Sequence, residues 1–341
     1  MLEELEPLVL IVAPLLFWVL LFSARLYWHG RSVTRVQFLE DEARLAEQAW
    51  QRWAQRFMTV STSCVLLPDG VCANGLHGAT PTSPPRAGSA RHVSDLPAGT
   101  LTRAEAGLQL LLEALAPALQ SLPANMQLQV VIVTDIQPEL YAALQEYCLK
   151  HLSALSLRVS LGSTATVGEL SWRWLDEQLK NASSELHLVI VLQTQGQGSY
   201  SDGLGALLLS TDDMARAHQM RTTARVLRPM PLQVDSLAGD WPVFLQTQTC
   251  AVRAQTLLAD SADWKNSISE ILVLGANHGA APLIDNIWFQ EDLCGTPGPF
   301  AGWLTLALGV DLARLQGESC LALARVGTQR WVTTVAPEGR A

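Results

Sequence analysis

The chain has 341 residues, 49% hydrophobic and 16% charged, with a net charge of −9. Enough apolar side chains are present to rule out a disordered chain. The acidic balance argues against nucleic acid as a partner, because phosphate binding needs a basic surface. Six cysteines, at 64, 72, 148, 250, 294 and 320, form no CxxC pair and no His/Cys cluster with zinc-finger spacing. No metal site is expected; the even number of thiols leaves disulfides open in an oxidising compartment, with reduced, scattered core cysteines as the favoured reading.

The first element is apolar. Leu8 to Ala24 (LVLIVAPLLFWVLLFSA) carries no charge, which is near the lower length limit for crossing a bilayer. Trp18, Tyr27 and Trp28 can serve as interfacial aromatics, and Pro14 would kink such a helix rather than end it. Glu3, Glu4 and Glu6 precede the run and Arg25, Arg31 and Arg35 follow it, the reverse of a cleaved signal peptide. The pattern predicts a single-pass anchor over residues 1–30, with the bulk of the chain cytoplasmic.

A juxtamembrane helix is expected next, within residues 31–60. From 34 to 57, Leu39, Ala43, Ala46, Trp50, Trp53 and Phe57 recur at alternating spacings of 4 and 3, one apolar stripe. That stripe suits docking on the body of the protein or on a partner helix. Residues 75–99 are rich in Gly and Pro and read as a loop. After them, α and β patterns alternate. Helices are expected over 101–122, 138–152, 167–179, 251–264 and 301–315. Strands are expected over 128–134, 157–161, 186–192 and 271–274. LQVVIVT and LHLVIVL are continuous apolar runs, the mark of strands buried on both faces. This alternation predicts a largely parallel sheet covered by helices.

Five segments carry a further signal. They are Ser61–Gly70 (STSCVLLPDG), Gly162–Gly168 (GSTATVG), Gln195–Leu209 (QGQGSYSDGLGALLL), Ile268–Asp285 (ISEILVLGANHGAAPLID) and Gly298–Gly302 (GPFAG). In this order they resemble landmarks of the β-ketoacyl synthase branch of the thiolase superfamily. The resemblance implies an α/β, five-layered α-β-α-β-α fold of two related halves, here 61–210 and 211–341. It implies a nucleophilic Cys at the start of a buried helix, where Thr164-Ala165-Thr166 matches Thr-Ala-Cys and puts Thr166 at the nucleophile. It implies a strand leading into a His-Gly segment, matched by His278, Gly279, Pro282 and Asp285. It implies a second His opening a long helix, where Pro299 stands instead. The glycine-rich closing segment is replaced by Gly327-Thr-Gln-Arg-Trp.

Claisen condensation needs a thiolate and two groups that polarise the malonyl unit. A hydroxyl at 166 and a proline at 299 supply neither. The expected reading is therefore a catalytically inactive scaffold that works through protein partners. A secreted effector, or another component of bacterial type VI secretion, is one concrete partner. Acyl-chain or acyl-carrier binding, and a residual acyltransferase or hydrolase using Thr166 with His278, are the alternatives. The last requires those side chains within hydrogen-bond reach, about 2.6–3.2 Å. A homodimer is implied through the strand near the nucleophile, Leu157–Leu161. No cofactor is expected: no phosphate loop occurs, and GQGxxxDGLG precedes a strand pattern rather than a helix. Asp212 and Asp213 read as a helix cap, Trp172 and Trp174 as packing residues, and Arg221, Arg225 and Arg228 as one basic face if helical.

Overall fold

The structure, a computed structural model, describes residues 5–77, 88–124, 126–180, 185–280 and 286–339. It divides into two units, 1–54 and 55–341.

The first unit is one helix, α1, Leu5–Ala54. The expected anchor and juxtamembrane helix are thus a single continuous element, and Pro14 lies inside it. It stops at Ala54, and Phe57 belongs to the next strand instead of the helical stripe. Among the described residues no helix is long and apolar enough to cross a membrane. The expected transmembrane helix is to that extent not recovered. Side chains are described from Pro14 onward, so the part of the span over 8–13 lies outside them. From Leu15 to Phe22 every side chain is exposed, as are Leu39 and Trp50 further along.

The second unit is built on a sheet. Its elements are β1 (Phe57–Leu66), α2 (Thr100–Gln120), β2 (Gln127–Thr134), α3 (Tyr141–Ala154), β3 (Ser160–Val167), α4 (Arg173–Lys180), β4 (Glu185–Gln193) and β5 (Gly203–Thr211). There follow β6 (Ala224–Leu227), β7 (Met230–Leu232), α5 (Leu237–Thr247), β8 (Thr256–Ala259), α6 (Lys265–Asn277), β9 (Ile287–Phe289), α7 (Ala301–Gln316), β10 (Cys320–Val326) and β11 (Gln329–Pro337).

Two half-sheets repeat one topology. The first runs β3-β2-β4-β5-β1 and the second β9-β8-β10-β11-β6. In each, the first two pairings are parallel and the last two antiparallel. The five-layered fold that the resemblance implies has two stacked sheets; here β1 pairs antiparallel with β6, from Phe57↔Leu227 to Val60↔Ala224, so the two half-sheets are also continuous in hydrogen bonding. β7 attaches to β11.

Side-chain alternation sorts this sheet into layers. On β4, Leu186, Leu188, Ile190 and Leu192 pack with α2 and α3, while Val189 and Val191 face α4 and α7. On β10, Leu321 and Leu323 pack with α5 and α6, while Cys320, Ala322 and Ala324 face α7. The order is therefore α2/α3, first half-sheet, α4/α7, second half-sheet, α5/α6: five layers. α7 is buried at every position from Ala301 to Val310, and Thr305, the one polar side chain of that stretch, is bonded to Gln290, as suits a helix enclosed between two sheets.

Several expected elements are corrected. Ile271–Leu274 is the middle of α6, not a strand, and β8 lies inside the stretch expected to be helical over 251–264. β3 starts at Ser160 and extends through Thr166, and α4 begins only at Arg173. Arg225 sits on β6, so the three arginines share no helical face. Arg225 pairs with Glu338 and Arg228 with Asp176. Thr211, not an aspartate, caps the short helix Asp212–Ala217, accepting from the Met214 N–H at 3.4 Å. Asp212 and Asp213 bind Arg56 and Arg216.

Enclosing α7 requires close approach. A Cβ on Gly203 would stand 2.2 Å from Leu304 Cδ1, and one on Gly302 would stand 2.8 Å from the Ala324 Cβ. Gly203→Ala should therefore cost about 1–3 kcal/mol of stability by overpacking. Urea unfolding of the full chain measures this. In the Leu304→Ala background the penalty should shrink, whereas equal penalties in both backgrounds would contradict the contact.

Candidate functional site

Three chain segments converge where α4 and α7 begin. The Trp303 indole, in the first turn of α7, donates to the Leu170 carbonyl just before α4 at 2.6 Å. Trp172 directly precedes α4 and is fully buried, and a Cβ on Gly302 would lie 3.8 Å from its Nε1. Ala324 of β10 packs on Gly302 from the other side. The next residue, Arg325, donates its backbone N–H to Asp260 Oδ2 at 2.6 Å. Asp260 directly follows β8. The starts of both central helices thus meet in one place, and the end of β8 is tied to the strand that packs on the first turn of α7.

The turn before α7 is clamped. The Phe300 N–H donates to Gln193 Oε1 at 2.9 Å, and Gln193 Nε2 donates to the Ser201 carbonyl at 2.7 Å. A Cβ on Gly298 would meet the Gln193 side chain at 2.4 Å, so only glycine fits there. Trp174, on α4, stacks edge-on against both His187 and Trp303, with centroids 5.2 and 6.2 Å away. His187 is buried on β4 with its Nε2 unpartnered, and burial pushes its pKa down, so the imidazole stays neutral.

No protein-family model matches this chain, and no curated protein matches it. Solved structures do. The ishigamide ketosynthase/chain length factor aligns with a TM-score of 0.55 at 13% identity, over 84% of this chain and 100% of that one. A type II PKS acyl-carrier protein in complex with its ketosynthase gives 0.54 at 11%, over 83% and 99%. The acyltransferase ChlB3 gives 0.50 at 14%, over 83% and 98%. The fold is that of the thiolase-like ketosynthases.

Within that fold the residues named from sequence are scattered. Thr166 lies on β3, an edge strand, not at a helix start. Its Oγ1 is buried and has no hydrogen-bond partner, so it makes no bond to His278. His278 ends α6 on the outer layer. It is exposed, with Nδ1 3.0 Å from the Leu274 carbonyl. Pro282 and Asp285, matched with it, lie outside the described residues. Pro299 is exposed in the turn that opens α7. The helix that follows β3 is preceded by Ser171 and Trp172, and the strand found in place of the expected Ile271–Leu274 is β8, which ends at Ala259 with Asp260 directly after it. Sequence reasoning missed both. LLADS, a short apolar run closed by Asp-Ser, was the available signal for β8.

Asp260 has a twin. Asp135 directly follows β2, the strand equivalent to β8, and accepts the Thr194 N–H at 2.9 Å, the Gln195 N–H at 2.8 Å and the Tyr200 hydroxyl at 3.0 Å. Asp260 accepts the Arg325 N–H and the Trp264 indole, the latter at 3.0 Å. Each aspartate ties its strand end to the neighbouring parallel strand, Asp135 to the loop just beyond β4 and Asp260 to Arg325 near the end of β10. Burial raises both pKa values against the pull of these donors, and Asp260 reaches about 6. The folded state then holds the Asp260 proton more tightly than the unfolded chain does. Stability from this group is greatest in acid and falls as pH rises from the unfolded value through about 6. Relative to Asp260→Asn, the wild-type chain should gain about 2 kcal/mol of unfolding free energy between pH 7 and pH 4. Urea titrations of both proteins across that range check it. A pH-independent difference would contradict a neutralised buried carboxyl.

Proposed function

We propose that this protein is a catalytically inactive member of the ketosynthase fold, held at a bacterial inner membrane by α1 and acting through protein contacts. The observation that carries the reading is Trp172. Directly before α4, the helix that follows β3, a fully enclosed indole fills the space against the first turn of α7. A condensing enzyme needs room there for a thioester and donors for its oxyanion. The Asp260 carboxylate is committed to a backbone N–H and an indole. Pro299 has no proton to give.

The membrane part rests on the uncharged run over 8–24 and on Arg25, Arg31 and Arg35 behind it. The exposed α1 stripe that includes Leu39 and Trp50 favours an α-helical partner. A secreted effector, or a secretion component that handles one, is the partner class proposed. The edge strand β3 supports pairing with a second copy.

Thr166→Ala and His278→Ala should each complement a deletion strain at wild-type expression. Thr166→Ala should also change stability little, because its buried hydroxyl has no partner to lose. Removal of residues 1–30 should abolish function, because a tether raises the effective concentration of a weak partner. A well-expressed but null Thr166→Ala, beside a working anchorless chain, would replace this reading with an enzymatic one.

A further inference from the structure

The cationic stretch of α1 carries a feature that neither the fold nor the proposed scaffold role uses. Tyr27, Gly30, Arg31, Thr34, Arg35 and Phe38 line a shallow notch on one face of the helix. Gly30 makes the notch, since a Cβ built there would meet nothing within 4 Å. Thr34 turns its hydroxyl inward to the Gly30 carbonyl at 2.8 Å and leaves the floor open. Tyr27 and Phe38 wall the two ends and are 66% and 63% exposed, far more than an aromatic ring in a settled protein environment.

The charge is uncompensated in sequence. No Asp or Glu occurs between Glu6 and Glu40, so Arg31 and Arg35 have no carboxylate within one helical turn on either side. Two guanidiniums on successive turns can both address one phosphodiester, which matches the planar donor fork of arginine. Depth fits as well. At about 1.5 Å per residue, Tyr27 to Arg31 stand roughly 4–10 Å beyond the end of the apolar run at Ala24, the level of lipid headgroups. Exposed apolar side chains from Leu15 to Phe22 adjoin the notch along the same helix, ready to meet acyl chains.

We propose that this notch is a binding site for an anionic phospholipid headgroup, with Arg31 and Arg35 on the phosphate and Tyr27 and Phe38 flanking it. The proposal rests on the reading that α1 meets a membrane. Headgroup selectivity goes beyond that reading, because an apolar helix alone does not choose among lipids.

The test is native mass spectrometry of the full-length protein, released from detergent and titrated with phosphatidylglycerol or phosphatidylcholine. Wild type should retain phosphatidylglycerol on the order of ten-fold better than phosphatidylcholine at low salt. Arg31→Gln with Arg35→Gln should remove the preference, and Gly30→Leu, which fills the notch while keeping both charges, should weaken it. Arg44→Gln, on the same helix outside the notch, should leave it unchanged. Equal retention of the two lipids by wild type, or full preference in the double variant, would overturn the proposal. Competition by millimolar glycerol phosphate would assign the site to a free phosphate and overturn the lipid source. Carbonate extraction of native membranes tests the underlying reading separately: extraction of the chain would sink the anchor without altering the lipid comparison.

Discussion

The enclosure of α7 governs the rest of the second unit. A helix packed on all sides between two half-sheets can present no open polar face, and the first ten residues of its sequence, AGWLTLALGVDLARLQ, are apolar except Thr305, whose hydroxyl donates to Gln290 Oε1. It also forces the sheet strands that touch it to carry small side chains. Gly203 and Gly205 meet Leu304, and Ala324 meets Gly302. These contacts leave little slack, because interiors pack as densely as organic crystals. The same enclosure brings the first turn of α7 against the start of α4. Whatever side chain stands at Trp172 therefore decides whether the meeting point is an open site or part of the core.

The repeated topology explains the buried carboxylates. Asp135 and Asp260 stand at the same step of each half, one residue beyond the central parallel strand. Parallel strands end with free backbone N–H groups from the loops that leave them, and an unpaired buried N–H is costly. A carboxylate that accepts those donors offsets the cost of its own burial. Its raised pKa is the residue of that balance, which accounts for a shifted carboxyl that need not serve catalysis.

Sequence made the first half more legible than the second. LQVVIVT and LHLVIVL could only be buried strands, and both are, as β2 and β4. In the second half, ILVL looks like a strand when taken as a four-residue run. Its wider frame shows Ile268, Ile271 and Gly275 buried at helical spacing while Val273 is 61% exposed, and the helix α6 follows from that. β8, β9 and β6 are three or four residues long, too short to leave a periodicity. The Thr-Ala-Thr match failed for a related reason. β-Branched residues in GSTATV favour an extended chain, and the strand runs through the motif to Val167. The segment before α4, Leu170-Ser171-Trp172, carries no residue that the family motif would flag. Its role depends on contacts with α7, more than a hundred residues away.

The account's central claim is that the meeting point of α4, α7 and β10 is filled and takes no acyl group. Intact-mass measurement of the full-length protein after incubation with acyl-CoA and acyl-loaded carrier protein tests it most directly. The account predicts the unmodified mass at every chain length. A stoichiometric acyl adduct that maps to Ser171, Thr166 or any cysteine of the chain would contradict it.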